Sequence, residues 1–170
     1  YEMFKRYGSE QIRNVASLGG NIGSASPIGD SLPVLISLDT KLVLDGNKSR
    51  KVSMSDYFVG YRQTKLRKKE FIKEIIIPLK SRNNTLKCYK ISKRIDDDIS
   101  AVFMAINTEI KNNKFKTIKI VCGGMAAVPK IAKKTETYLK DKKINFDNIT
   151  KAKKIISKEF SPLSDVRSSK

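Results

Sequence analysis

The chain predicts an α+β fold: an antiparallel sheet with helices packed on one face, preceded by a smaller lobe of helix and hairpin. Three observations carry this. Ile118, Ile120 and Cys122 alternate apolar side chains at the two-residue period of a half-buried strand. Ile149, Ala152, Ile155 and Ile156 fall on one helical face near the end of the chain. Strand-like runs precede that helix in succession, and runs of strands followed by helices belong to α+β rather than to alternating parallel folds. A length of 170 residues suits one domain or two small lobes.

The elements follow in order. Asp30 is a candidate N-cap, and Pro33 suits the first turn of a short helix running through Leu35-Ile36-Ser37-Leu38. Lys41–Leu44 and Arg50–Ser53 form a hairpin around Asp45-Gly46, a turn dipeptide. Ser53 can cap a helical turn from Met54 to Phe58, and Phe71 to Ile77 is a strand. Ser81-Arg-Asn-Asn-Thr85 is polar and breaks the pattern, which places the boundary between lobes 1–80 and 81–170. Leu86–Arg94 and Ile99–Ile110 read as strands separated by an acidic loop, with a turn at Asn112-Asn113 and a further strand to Cys122. Pro129 fits the start of a helix reaching about Leu139, and the last helix begins near Asp147.

Composition narrows the function classes. Net charge is +18, from 35 Lys and Arg against 17 Asp and Glu. Such a surface attracts nucleic acid or acidic membranes nonspecifically. The lysines are dispersed, however, and do not cluster with aromatics as a stacking platform does, so no specific nucleic-acid partner is expected. No apolar run is long enough for a membrane span, and no membrane partner is expected. The chain has no His, which disfavours zinc sites, His-based triads and haem ligation, and no metal ligands are assigned. Cys88 and Cys122 lie far apart, inside strand-like runs and outside any Cys-x-x-Cys pair. They read as buried thiols of a reduced, cytoplasmic protein. Two cysteines cannot hold an iron–sulfur cluster, which takes about four. The chain begins at Tyr1 rather than Met, so an upstream segment is expected.

The most informative segment is Asn14–Asp30. It carries Gly19, Gly20, Gly23 and Gly29, the serines Ser17, Ser24 and Ser26, Asn21 and Asp30. Glycine permits positive φ and close approach of a ligand. Successive exposed N–H groups cradle anions, and the serine and asparagine side chains add donors and acceptors. Turns use the same residues, so composition alone leaves both a set of turns and a nucleotide-wrapping loop open. The segment lacks the Gly-Lys-Ser/Thr ending of a P-loop and contains no Gly-x-Gly-x-x-Gly.

The string itself carries more. Val15-Ala-Ser-Leu-Gly-Gly-Asn-Ile22, followed by Ser26-Pro-Ile-Gly-Asp30, closely resembles the FAD-binding module of the molybdenum hydroxylases, the family of xanthine dehydrogenase, aldehyde oxidase and carbon monoxide dehydrogenase. Further strings agree in order and spacing. Tyr57-Phe-Val-Gly-Tyr-Arg62 resembles the family's Phe-x-x-Tyr-Arg element, and Tyr89–Ser100 its Lys-x-x-x-Arg-x-x-Asp-Asp loop. Cys122–Pro129 resembles its Gly-Gly-Met-Ala strand end, and Ser161–Ser169 its Pro-x-Ser-Asp-x-Arg-x-Ser segment. The Arg94-Ile-Asp-Asp-Asp98 run and the Ser26–Asp30 wording favour the xanthine dehydrogenase branch.

The resemblance implies a fold and a role. Residues 1–80 would be the later part of a PCMH-type FAD-binding domain, and 81–170 a flavoprotein C-terminal domain cut short after Lys170. The family's other Gly-rich FAD loop is expected upstream of Tyr1. The implied function is the FAD-binding component of an oxidoreductase, passing electrons from 2Fe–2S clusters through FAD to NAD. The 2Fe–2S clusters and the molybdenum cofactor would sit in partner domains or subunits. A flavoprotein subunit of an aldehyde, carbon monoxide or N-heterocycle hydroxylase is the alternative, and a basic nucleic-acid module without redox function a distant one.

Cofactor contacts are implied at Tyr7, Ser17, Leu18, Gly19, Gly20, Asn21, Ser24, Asp30, Ile72 and Lys90. Ser17, Gly20 and Asn21 would meet the ribityl and phosphate region, and Tyr7 stands where the family places an aromatic near the cofactor. Asp30 would accept from a sugar or base edge, cap the following helix, or do both. Ile72 would pack on the flavin or merely be core. Lys90 would place a cation near the flavin N1 region, and the loop of Arg94, Asp96, Asp97 and Asp98 would border it. Gly123-Gly124-Met125 reads as close backbone packing at a strand end. No nucleophile or acid–base pair suggests side-chain catalysis, and no catalytic residues are assigned.

Overall fold

The computed structural model of the chain describes residues 5–79, 83–95 and 97–162. It begins with two short helices, α1 (Glu10–Val15) and α2 (Leu18–Gly23). Each is capped by a serine: Ser9 accepts from the Ile12 amide and Ser17 from the Gly20 amide. About half of the Gly-rich segment, expected as turns or a nucleotide-wrapping loop, is therefore helical. Positive φ at glycine is confined, among the described residues, to Gly8 and Gly124. Gly20 instead supplies space, since a Cβ there would lie 2.9 Å from Ser17 Oγ. A six-residue helix does not stand alone in water. Ile22 anchors α2 with 0% of its surface exposed, worth roughly 1.5–3 kcal/mol.

The first lobe continues with α3 (Ser31–Ser37), β1 (Lys41–Asp45), β2 (Arg50–Ser53), α4 (Met54–Tyr57), β3 (Phe58–Gly60), β4 (Gln63–Thr64) and β5 (Phe71–Ile76). The predicted hairpin forms with Lys41 opposite Ser53 and Leu44 opposite Arg50. β5 pairs antiparallel with the other edge of β1, giving the order β2-β1-β5. The Tyr57–Arg62 motif runs from the fully buried Tyr57 into the β3–β4 ribbon, and Arg62 takes the left-handed turn position at φ 52°.

The second lobe is a meander of β6 (Asn84–Ile91), β7 (Val102–Lys111), β8 (Lys114–Gly123) and β9 (Lys130–Ile131), all antiparallel, followed by α5 (Lys133–Leu139) and α6 (Phe146–Ile156). Asn112 and Asn113 sit at φ 52° and 57°, the left-handed pair that a tight hairpin turn demands. One expected element changes. Residues after Pro129 do not begin a helix but extend as β9, with Lys130 opposite Cys122 and Ile131 opposite Val121. Ile131 packs on the first-lobe core, so burial takes these residues into the sheet before α5 starts. Of the polar stretch read as the lobe boundary, Asn84 and Thr85 already belong to β6, whereas Ser81 and Arg82 lie outside the described residues.

The helices α5 and α6 cover one face of this sheet, as predicted. Ile120 and Cys122 point into a core with Ala132, Leu139 and Ala152. The opposite face is covered too, by α3 of the first lobe. Val121 joins Leu32, Leu35, Ile36, Leu42 and Leu44, while Val34 packs with Phe103 and Ala105 of β7. All seven residues of α3 are buried. A helix apolar all round must be enclosed on every side, and α3 lies between the two sheets. Its polar groups are paired: Ser37 Oγ donates to the Val34 carbonyl at 2.7 Å, and Asn107 Nδ2 donates to the Ser37 carbonyl at 2.8 Å.

Candidate functional site

The site grows from the turn before α1. Gly8 takes φ 59°, and Arg13 of α1 reaches back under the turn. Its Nη1 donates to the carbonyls of Gly8 at 2.6 Å, Tyr7 at 3.3 Å and Lys5 at 3.4 Å. One guanidinium thereby fixes the backbone that carries Tyr7. A cavity of about 180 Å³ opens between this turn and α2, lined by Tyr7, Arg13, Ala16, Ser17, Leu18, Asn21 and Ser31. Asn21 Oδ1 accepts from the Ser31 hydroxyl, and Ser24 Oγ donates to the Asn21 carbonyl at 2.8 Å. Burial pushes the Tyr7 phenol up in pKa. A hydrogen bond with Ser31 opposes that shift, and the charge of Asp30 adds to it.

Asp30 does not cap α3 with its side chain. Lys90 Nζ of β6 donates to its Oδ2 at 2.7 Å, and Ser100 Oγ donates to its Oδ1 at 2.5 Å. The carboxylate is turned toward the second lobe, and Asp30 has helical backbone, φ −62° and ψ −31°, rather than the extended backbone of a side-chain cap. That is why the capping half of the sequence reading fails.

Backbone contacts draw the second lobe against the same region. The Gly124 amide donates to the Pro27 carbonyl at 3.0 Å. Gly124 sits at φ 80°, and a Cβ there would come within 2.3 Å of the Ala101 carbonyl oxygen, so the close-packing reading of this strand end is correct. Arg6, beside Tyr7, donates to the carbonyls of Ile95 at 3.0 Å and Lys90 at 3.4 Å and to Ser92 Oγ at 3.2 Å. The acidic loop is organised by Asp98, which accepts from the amides of Arg94 and Ile99. The Arg94 amide bond is the main cause of its lowered pKa. Asp96 lies outside the described residues.

The structure thus gathers Tyr7, Ser17, Leu18 and Asn21 around one cavity. Gly19, Gly20 and Ser24 share the helix or its cap without lining the cavity. Asp30 and Lys90 are paired with each other. Ile72 does not line the cavity; it packs half-buried against the first core, opposite Leu44. Arg6, Arg13 and Ser31 were not singled out in the sequence. A lone arginine or a serine inside an apolar helix start carries no pattern; only the long-range contacts reveal them.

The residues present fit part of a flavin dinucleotide. Ala16, Leu18 and the Tyr7 ring give apolar walls, and Ser17, Asn21 and Arg13 add a few placed polar groups, the usual mix of a ligand site. A volume of about 180 Å³ is below the roughly 300–1,000 Å³ of whole small-molecule sites, so the cavity takes one portion of such a ligand.

Residues 2–80 match the family described as the FAD binding domain in molybdopterin dehydrogenase, and residues 87–170 match the CO dehydrogenase flavoprotein C-terminal domain. Xanthine dehydrogenase of Emericella nidulans is 37% identical over 145 residues, covering 84% of this chain and 11% of that protein. Xanthine dehydrogenase/oxidase of Gallus gallus is 34% identical over 138 residues, 79% of this chain and 10% of that protein. Nicotinate hydroxylase of Emericella nidulans is 34% identical over 143 residues, 81% and 11% respectively. The chain therefore spans only 10–11% of the length of these relatives. Among solved structures, a carbon monoxide dehydrogenase chain from Hydrogenophaga pseudoflava superposes with a TM-score of 0.94 at 23% identity, covering 99% of this chain and 58% of that one. Quinoline 2-oxidoreductase from Pseudomonas putida 86 gives 0.88 at 19% identity, covering 97% and 57%. At these identities the structural likeness is one of fold. Matched by sequence along both lobes and by fold over nearly its whole length, the chain belongs to the flavin-binding domain family of the molybdenum hydroxylases.

Proposed function

We propose that the chain holds FAD within a xanthine dehydrogenase-type oxidoreductase of the cytoplasm. Residues 1–80 supply the later part of the FAD-binding domain and 81–170 the flavoprotein C-terminal lobe. Iron–sulfur and molybdopterin domains or subunits are its partners, and NAD is the electron acceptor. No specific nucleic acid and no membrane partner enter this reading. The observation that supports it best is the convergence of Tyr7, Ser17, Leu18 and Asn21 on one cavity, because the family resemblance named all four as cofactor contacts.

FAD, when bound, supplies the redox chemistry, and the protein supplies binding and electrostatics. Ser17 Oγ accepts from the Gly20 amide, which leaves its own proton for a ligand oxygen. Leu18 and the Tyr7 ring present apolar surface to a ring system. Lys90 uses one of its three donors on Asp30, and among the described residues the other two remain for an acceptor. Asp30 then acts through Lys90, as a positioning group. Gly19 and Gly23 have open space where a Cβ would stand, so a ligand can approach the α2 backbone there.

One relative favours a second reading. The 34% identity to a nicotinate hydroxylase equals that to one of the xanthine enzymes, so an N-heterocycle hydroxylase is the alternative. Purification of the holoenzyme, with its molybdopterin partner assayed on xanthine and on nicotinate, separates the two. FAD binding is tested by titrating FAD into the full chain and into a Ser17→Ala/Asn21→Ala variant, following flavin fluorescence. Tight binding that the variant loses is the expected result. A folded chain that leaves flavin fluorescence unchanged overturns the reading.

A further inference from the structure

We propose that Ser31 is a positioning residue that sets the orientation of the Asn21 amide, so that the cavity presents N–H and O–H donors to an acceptor-bearing edge of the cofactor. The inference rests on the FAD reading above.

Ser31 is 3% exposed, and a buried hydroxyl must find its partners within the protein. It has one proton and two lone pairs. The proton goes to Asn21 Oδ1. This bond joins two cavity-lining residues that lie 10 positions apart in the chain.

The consequence falls on Asn21. Its backbone is held on both sides, with the amide donating to the Ser17 carbonyl at 3.0 Å and the carbonyl accepting from Ser24 Oγ. The remaining freedom is rotation of the side-chain amide, and Ser31 removes it. With Oδ1 turned to Ser31, the Nδ2 group is the part left for the cavity. Ser17 and Arg13 have the same character. Ser17 Oγ has its proton left to give. Arg13 commits Nη1 to carbonyls, and its Nε and Nη2 have no partner among the described residues. A rim of donors selects ligand oxygens or unprotonated ring nitrogens, as on a phosphate, a ribityl chain or a flavin carbonyl edge. It rejects an edge that itself presents N–H groups.

The test uses Ser31→Ala, Ser31→Thr and Asn21→Asp in the full chain, with FAD as the probe. Flavin fluorescence reads affinity, thermal melting reads folding, and the ¹⁵N relaxation of Asn21 Nδ2 in the flavin-free chain reads whether the amide is held. Ser31→Ala is expected to weaken FAD binding about tenfold, the scale of one lost hydrogen bond, and to mobilise Asn21 Nδ2. Ser31→Thr restores both. Asn21→Asp keeps an acceptor for Ser31 but turns the donor into a carboxylate oxygen, and loses more affinity than Ser31→Ala. Wild-type affinity and a rigid Nδ2 in Ser31→Ala overturn the proposal while leaving the FAD reading standing. A fall in affinity with Nδ2 still rigid, or one that Ser31→Thr does not restore, overturns it as well. If the wild-type chain binds no FAD, the reading of the site fails, and its preference for an acceptor edge fails with it.

Discussion

Lys90 and Asp30, sixty positions apart, form an ion pair at 2.7 Å with side chains only 7% and 6% exposed. Asp30 opens α3 and Lys90 lies on β6, so the pair fastens the first lobe to the second. Ser100 completes it by occupying the other Asp30 oxygen. A buried pair is worth little against an apolar replacement, yet removing one partner strands a charge and costs about 3–5 kcal/mol. Lys90→Met is accordingly expected to lower unfolding free energy in urea by about that much, and the double variant Lys90→Met/Asp30→Leu by less. A Lys90→Met cost below about 1 kcal/mol would mean that water reaches Asp30 and that the lobes are not fastened here.

A second ion pair makes the fold sensitive to acid. Arg50 donates through Nε and Nη2 to both oxygens of Glu70, which also accepts from the Arg67 amide. These bonds, the Arg50 one foremost, hold the Glu70 pKa down at about 2 against an ordinary 4.5. The folded value is the lower one, so the contribution is present above pH 4.5 and is lost as pH falls toward 2. Titration of the Glu70 side-chain carbon by NMR should find the low midpoint, and Arg50→Met should move it upward. An unchanged midpoint in Arg50→Met would assign the shift to the Arg67 amide alone.

The glycines separate structural from ligand-facing roles. Gly124 takes φ 80° and meets the Ala101 carbonyl, so Gly124→Ala combines backbone strain with overlap. A loss of about 1–3 kcal/mol is expected in thermal or urea unfolding. Gly19 is helical, and a methyl group on its Cα would have nothing within 4 Å. Gly19→Ala should therefore stabilise the chain, by about 0.5–1 kcal/mol, while weakening FAD if the cofactor lies against α2. Unaltered FAD affinity in a stabilised Gly19→Ala chain would remove Gly19 from the site.

Much of this was legible in the sequence, for reasons that vary by residue. The Asn112-Asn113 turn and the Lys41–Ser53 hairpin are local, set by turn chemistry and side-chain alternation. Ser17, Leu18 and Asn21 stand out because they sit inside one contiguous string, and Tyr7 because it keeps a fixed spacing from it. The enclosure of α3 was hidden. Its apolar run announces burial but not that two sheets share it, since Leu32 and Val34 face partners far apart in the chain. Asp30 illustrates the same limit. Its position before Ser31 spells an N-cap, and only the arrival of Lys90 and Ser100 from the other lobe takes the carboxylate away from the helix. The β9 strand escapes sequence reading because Pro129 marks a helix start and a strand end equally well.

Helix α5 shows a cap supplied from a distance, and it gives the last prediction. The residue in the cap position is Ala132, which offers no side-chain acceptor. Glu159, beyond α6, provides one instead: it accepts from the Lys134 amide at 2.7 Å, the Thr135 amide at 3.1 Å and the Thr135 hydroxyl at 2.8 Å. The carboxylate also sits at the positive end of the helix dipole. A local cap lost to alanine costs about 1 kcal/mol; here two amides and a buried hydroxyl lose their acceptor together, so Glu159→Ala should cost about 2 kcal/mol. Glu159→Gln keeps one oxygen and should cost about half as much. Hydrogen exchange gives the site-specific check. The Lys134 and Thr135 amides should exchange faster in Glu159→Ala, while the β7 and β8 amides slow or quicken only with global stability. If all of these amides change together, the carboxylate is holding the whole second lobe rather than the first turn of α5.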